Sequence, residues 1–253
     1  MLLYRQSGVN IDSLERPGAD VVHISPSHHF PTGTVTPASR RYELLGWAAK
    51  QEGRYIIEDE YDSEFRLVGN PIPALQSIDA SDKVIYMNTF SKSLSSTIRI
   101  SYMVLPIPLM VRYNHVLSFY ACTVSNFDQY TLTRFIQEGY LEKHINRMRK
   151  FYRNSRDRIL GCIRSHRLYP QVTIKEENAG LHFLMEIDTS YTDREMVDRA
   201  AAAGINISSL SQYCHGKEQE DSHTLVINYS GIEEDIIEEA CDRLLESVVR
   251  LTT

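Results

Sequence analysis

Three times between Val21 and Leu105 a short apolar run leads directly into a cluster of polar, chemically capable residues. Val21-Val22-His23-Ile24 precedes the breaker-rich Ser25-Pro26-Ser27-His28-His29-Phe30-Pro31-Thr32-Gly33. A helix is predicted next, capped by Ser39, ended by Gly53 and carrying Tyr42, Leu45, Trp47, Ala48 and Ala49. Tyr55-Ile56-Ile57 then runs into Glu58-Asp59-Glu60-Tyr61-Asp62-Ser63-Glu64-Phe65. Val84-Ile85-Tyr86-Met87 runs into Thr89-Phe90-Ser91-Lys92-Ser93-Leu94, and Ile100 to Leu105 leaves that turn as a further strand. Strand, loop, helix and strand in this order predict a βαβ unit and a mainly parallel sheet. Such sheets bind ligands beyond the carboxyl ends of their strands, where Asp59 and Lys92 both fall. The two are expected to converge.

The rest of the chain predicts a second unit. Gly139 to Ser165 spaces Leu141, Ile145, Met148, Tyr152, Ser155, Ile159 and Cys162 by threes and fours, which predicts one buried stripe on a long helix. Its many lysines and arginines read as the wet face, because no aromatic platform for nucleic acid accompanies them. From Val172 a small α/β unit is expected, with strands near Leu181–Ile187, Ile205–Ser208 and Thr224–Asn228 and helices near Asp193–Ala203 and Glu233–Arg250. The organisation expected is therefore a cofactor-type domain over residues 1–150 and a small C-terminal α/β domain over 151–253. The net charge of −6 gives no overall basic footprint for nucleic acid, and no apolar run approaches a membrane span. Cys122, Cys162, Cys214 and Cys241 lack metal or disulfide spacing and read as reduced thiols, so a cytoplasmic globular protein is expected.

The chemistry rests on Asp59, Tyr61, Lys92 and Arg99. Alone, each has a plain explanation as a loop acid, a packing aromatic, a hairpin lysine or a surface arginine. Together at strand ends, a carboxylate, a phenol, an amine and a guanidinium suit pyridoxal 5'-phosphate. The amine can condense with the aldehyde, and the carboxylate can keep the ring nitrogen protonated. Arg99 and the hydroxyls of Thr89, Ser91 or Ser93 can hold the phosphate. Lys92 is expected to be poorly placed for solvent, with Arg99 either a second cation beside it or a phosphate ligand. His28 and His29 invite a metal reading, but adjacent histidines without a spaced partner make poor ligands, and no metal is expected.

The segments around Ser25–Gly33, Ile56–Phe65, Pro73–Ser77 and Tyr86–Leu94, with Asn178-Ala179-Gly180-Leu181-His182-Phe183, resemble the aminotransferase-like domain of MocR/GabR-type transcriptional regulators. The resemblance covers nearly the whole chain. It implies a fold-type-I, α/β aminotransferase-like fold with a partial large domain. It implies Lys92 as the Schiff-base lysine, Asp59 as the partner of the pyridine nitrogen and Tyr61 as the ligand of the 3-oxygen. Arg99 and Thr89 become phosphate ligands, with Ser91 beside them. It also implies a homodimer, a small amine or amino-acid effector, and contact with DNA only through a winged-helix domain preceding the chain. Several departures stand out. His29 replaces the family's usual glutamine, and Ser95-Ser96-Thr97-Ile98 replaces Pro-Gly-Leu before Arg99. Asn228-Tyr229-Ser230-Gly231 has no arginine where the GABA-sensing member has one. Part of the large domain is expected to be missing ahead of Met1. A working aminotransferase, and a domain without a working cofactor site, are the alternative readings.

Overall fold

The computed structural model describes residues 4–5, 8–15, 18–70, 72–178, 180–214 and 221–249. They divide into two compact units. The first comprises residues 1–29, 34–64 and 69–148, and the second 30–33, 65–68 and 149–253. Of the residues singled out from the sequence, Ala179 and Arg250 lie outside the described set.

In the first unit, β1 (Tyr4–Arg5), β2 (Gly8–Val9) and α1 (Ile11–Glu15) precede the main sheet. That sheet is built from β3 (Val21–Ile24), β4 (Tyr55–Glu60), β5 (Val84–Thr89) and β6 (Ser101–Val104), in that spatial order. β3 pairs with β4 and β4 with β5 in parallel, whereas β6 returns antiparallel to β5. The crossover from β3 to β4 is α2 (Ala38–Ala49), and α3 (Leu75–Ile78) precedes β5. Leu44, Trp47 and Ala48 of α2 close with Val22, Ile24, Ile56, Leu75 and Val84 into the core of this unit. Burying such side chains contributes about 1.5–3 kcal/mol each, which is what holds the helix to the sheet.

β4 alternates strictly, with Ile56, Glu58 and Glu60 buried. A strand sends successive side chains to opposite faces, so the acidic run is split, and Asp59 faces away from its two neighbours. Glu58 and Glu60 need partners there, and α2 supplies one. Arg41, only 1% exposed, donates to the carbonyls of Thr36 (3.1 Å) and Pro73 (2.7 Å) and lies 3.9 Å from Glu58. Glu58 accepts from the backbone N–H groups of Leu75 (2.7 Å) and Gln76 (2.9 Å), satisfying the first turn of α3 from the strand beneath it. Asp79 gathers the N–H groups of Ser81, Lys83 and Val84 and so fixes the entry to β5.

α4 (Phe90–Ser93) is a single turn capped by Thr89, whose Oγ1 accepts from the Ser91 N–H at 3.2 Å. α5 (Ile107–Leu117) and α6 (Asn126–Gln137) follow β6, and neither contains a buried residue. Ile107, Val111, Phe119, Phe127 and Tyr130 are each more than 60% exposed. Gly139, at φ 73°, separates α6 from α7 (Tyr140–Ser165). The residues of α7 to Met148 group with the first unit and those from Arg149 with the second.

The second unit holds a four-stranded antiparallel sheet. Its strands are β7 (Val172–Lys175), β8 (His182–Ile187), β9 (Ser208–Ser209) and β10 (Thr224–Asn228), in the order β7-β8-β10-β9. α8 (Asp193–Ala202) and α9 (Ile237–Val248) pack on each other, and α8 begins with a capping box between Thr192 and Glu195. The buried α7 residues are Tyr152, Ser155, Arg156, Ile159, Leu160 and Ile163, and Arg158 grips Glu238 of α9 with two nitrogens. Phe65 meets Tyr152 edge-on. Among the described residues, no helix is long and apolar enough to cross a membrane.

Two local expectations are corrected. The expected stripe on α7 is buried only from Tyr152 onward, because Leu141, Ile145 and Met148 are merely half-buried. Ser39 does not cap α2; the cap is Pro37, without a side-chain bond, and the helix ends at Ala49, well short of Gly53. A proline there needs no N–H partner, so the helix starts two residues earlier than a Ser39 cap would set it. Replacing Arg41 with methionine is expected to lower the unfolding free energy by about 3 kcal/mol or more in urea titrations, because it strands a buried carboxylate.

Candidate functional site

The candidate site gathers at the carboxyl end of β4 and β5. The parallel register sets Asp59 opposite Met87, so Asp59 and Thr89 project from one face of the sheet. Around α4, Thr89 Oγ1 donates to Ser91 Oγ at 3.1 Å, Ser91 Oγ donates to the Ile98 carbonyl at 3.1 Å, and Arg99 donates to Ser91 Oγ at 3.2 Å. Two hydroxyls and a guanidinium thus converge on one turn. The Ser95–Ile98 stretch still closes it: Ser95 and Thr97 hydroxyls meet at 2.8 Å, and Ile98 supplies the carbonyl that holds Ser91.

Lys92 projects from this turn into solvent and, among the described residues, its amine has no hydrogen bond or ion pair. The expectation of a lysine withdrawn from water is therefore corrected. One turn of helix leaves no second layer to cover it: Ser93 turns inward and is buried, while Lys92 faces out.

Asp59 is half-exposed and pairs with His23 of β3 at 3.0 Å. Tyr61 donates to the His28 carbonyl at 2.8 Å, and the His28 ring lies 3.2 Å from its hydroxyl. Burial, then the fields of Asp62, Glu60 and Asp59, push the phenol well above the usual tyrosine range. Hence Thr89, Ser91 and Lys92 share one turn that the Arg99 guanidinium reaches, and Asp59 lies on the neighbouring strand, while Tyr61 is engaged with the Ser25–His29 segment.

The sequence reading passed over the groups that hold that segment. His28 and Asp62, each 2% exposed, pair at 2.9 Å. Ser27 donates to Glu60 at 2.6 Å, and Arg41 reaches Ser27 Oγ at 3.4 Å. Thr36 donates from its N–H to the Pro26 carbonyl at 2.8 Å, and the His29 N–H to the Thr34 carbonyl at 3.0 Å. Burial drives the Glu60 carboxyl up to about 8, with Glu58 and Asp62 adding to the rise and Ser27 and Arg41 opposing it. Burial and the neighbouring His28 lower His29 to about 4. The signal was available: Ile56 faces the core, and counting by twos along β4 carries Glu58 and Glu60 to the same side.

These shifts fix a pH dependence. Between about pH 6.5 and 8 the unfolded chain has ionised Glu60, whereas the folded chain keeps its proton, so stability falls as pH rises. His29 is neutral in the folded chain across that window, but its unfolded form still carries part of a proton near pH 6.5, so it offsets only a small part of the fall. The unfolding free energy from urea titrations is expected to fall from pH 6.5 to 8 by an amount on the order of 1–2 kcal/mol, and Glu60→Gln to flatten the change.

The family model for aminotransferase class I and II matches residues 9–244. The uncharacterized HTH-type transcriptional regulator YdeL of Bacillus subtilis is 40% identical over 94% of this chain and 50% of its own length. The probable rhizopine catabolism regulatory protein MocR of Rhizobium meliloti is 31% identical over 97% of this chain and 49% of its own. The chain thus spans about half the length of these relatives. Among solved structures, kynurenine aminotransferase of Pyrococcus horikoshii superposes with a TM-score of 0.82 at 27% identity, over 96% of this chain and 62% of that one.

Proposed function

The chain belongs to the class I and II aminotransferase family, with the fold-type-I architecture, and from that premise we propose that it is the pyridoxal-phosphate-binding, effector-sensing region of a MocR-type transcriptional regulator. The observation that carries the reading is the single turn that gathers Thr89, Ser91 and Arg99 and presents the unpartnered Lys92. That donor set fits a phosphate ester: a guanidinium for charge and two hydroxyls for direction. Lys92 would be the covalent anchor, Asp59 would hold the ring nitrogen, and Tyr61 would serve the ring's 3-oxygen. When bound, the cofactor supplies an electrophilic carbon that reacts with amines and a ring that accepts electron density.

The chain's own residues define what they do around it. Arg99 and Ser91 would orient the phosphate, and His23 holds the Asp59 carboxylate in place at 3.0 Å. Lys92 is exposed and, among the described residues, makes no hydrogen bond or ion pair, so its amine would be available to the cofactor's aldehyde. The effector is a small amine or amino acid. Among the described residues, Asn228–Gly231 offers no cation for a carboxylate: Tyr229 is buried and bonded to the Gly180 carbonyl, and Asn228 holds Ser230. Effector binding changes the set of contacts at Lys92 and is read out as altered DNA affinity in the longer protein. The large apolar residues exposed on α5 and α6 support a homodimer assembled through that face.

Mixing the chain with pyridoxal phosphate is expected to give a visible absorption band that Lys92→Ala lacks. Arg99→Ala is expected to weaken cofactor affinity about tenfold, the worth of one charge-assisted contact. No band from folded wild-type protein would refute the cofactor assignment. Sustained conversion of an amino acid with a 2-oxo acid would replace the sensing role with catalysis. Sedimentation equilibrium is expected to show a dimer that Phe127→Asp dissociates.

A further inference from the structure

The end of β4 is fastened to the Ser25–His29 segment by three successive side chains. Glu60 accepts from Ser27 at 2.6 Å, Tyr61 donates to the His28 carbonyl at 2.8 Å, and Asp62 pairs with the His28 ring at 2.9 Å. The two outer contacts are buried: Glu60 is 3% exposed, and Asp62 and His28 are 2%. The middle one, made by Tyr61, is only half-buried. Tyr61 is thus the working group of the trio, and its acceptor is a backbone carbonyl whose position depends on where residues 27 and 28 are held.

Glu60 controls the first of those anchor points. Its side chain shares the buried face of β4 with Glu58, across from Arg41 of α2, and Ser27 Oγ stands between Glu60 and the Arg41 guanidinium. Asp62 lies two residues on along the chain, and Tyr86 of β5 faces the same side. Ser27 can rotate its hydroxyl proton in only one direction at a time. With Glu60 accepting that proton, its lone pairs are left for Arg41, and both buried groups are satisfied. An apolar residue at 60 leaves the Ser27 hydroxyl proton without its acceptor in a dry site, a cost relieved by withdrawing residues 26–28 from the end of β4. That withdrawal carries the His28 carbonyl away from the Tyr61 hydroxyl.

We propose that Glu60 is a positioning residue for Tyr61: through Ser27 it fixes the His28 carbonyl and thereby the direction in which the phenol presents its oxygen. The role in a loaded site rests on the cofactor reading given above; the positioning itself does not. The proposal assigns a function to an acid whose side chain faces away from Asp59 and bonds Ser27.

The test begins without cofactor. Nitration of Tyr61 by tetranitromethane is followed by peptide mapping, with Tyr55 of the same strand as the internal reference. Glu60→Leu is expected to raise Tyr61 nitration several-fold with Tyr55 unchanged, and Glu60→Gln, whose amide oxygen still accepts from Ser27, to match the wild type. Ser27→Ala approaches the same contact from the other side and is expected to raise Tyr61 nitration as Glu60→Leu does, which covers the case in which the Glu60→Leu protein does not fold. Unchanged Tyr61 reactivity in the folded variants, or an equal rise at Tyr55, would overturn the proposal. With pyridoxal phosphate present, the pH midpoint of the visible band adds a second readout. Glu60→Leu and Tyr61→Phe are each expected to shift it, and the double variant to shift it no further than Tyr61→Phe alone. Additive shifts would show that Glu60 acts by another route. Absence of the band in wild-type protein would sink the cofactor reading while leaving the nitration result to decide this one.

Discussion

The first unit depends on a guanidinium in the wrong place by ordinary standards. Arg41 is buried under a parallel sheet, where an unpaired charge would be prohibitive, and it survives because two carbonyls, a hydroxyl and two glutamates surround it. Those partners belong to four different parts of the chain. Thr36 leads into α2, Pro73 leads into α3, Ser27 belongs to the segment after β3, and Glu58 and Glu60 lie on β4. One cation therefore ties the crossover helix, the strand and two connections together, and the side chains at the end of β4 inherit their placement from it. Two carboxylates against one cation leave a surplus acid, and Glu60, pushed up by burial, carries the surplus as a proton.

How much of this was legible depended on whether the sequence pattern could show direction. Apolar runs ending in polar clusters were enough to predict the parallel pairing of β3, β4 and β5, because a strand followed by a helix and another strand has few other solutions. Thr89, Ser91 and Arg99 were legible too, since hydroxyls and a guanidinium around one turn have little choice but to meet. Exposure was not. Lys92 reads as sheltered when its flanking strands are apolar, yet β6 is an edge strand whose four residues are all exposed. Whether a neighbouring element covers an edge is information that a window of ten residues does not contain.

The acidic run shows the reverse case. Glu58-Asp59-Glu60 looks like a solvated loop, and the strand continues through it. The alternation that buries Ile56 sends two of the three acids inward and one outward, separating a structural pair from a functional candidate within three residues. On the second unit the strands at His182–Ile187 and Thr224–Asn228 were visible as apolar runs, whereas β7, shorter and bordered by charged residues, was not.

The bare surfaces of α5 and α6 have a calorimetric consequence. Heat capacity rises on unfolding chiefly because apolar surface meets water, and these helices have already met it. Melting them alone adds little to that increment, so the heat-capacity step of the chain by itself is smaller than its length would imply. Their amides, protected only by local helix bonds, are among the first to open. Whatever covers that face would raise both quantities together, and a larger heat-capacity step would register the covering as area buried.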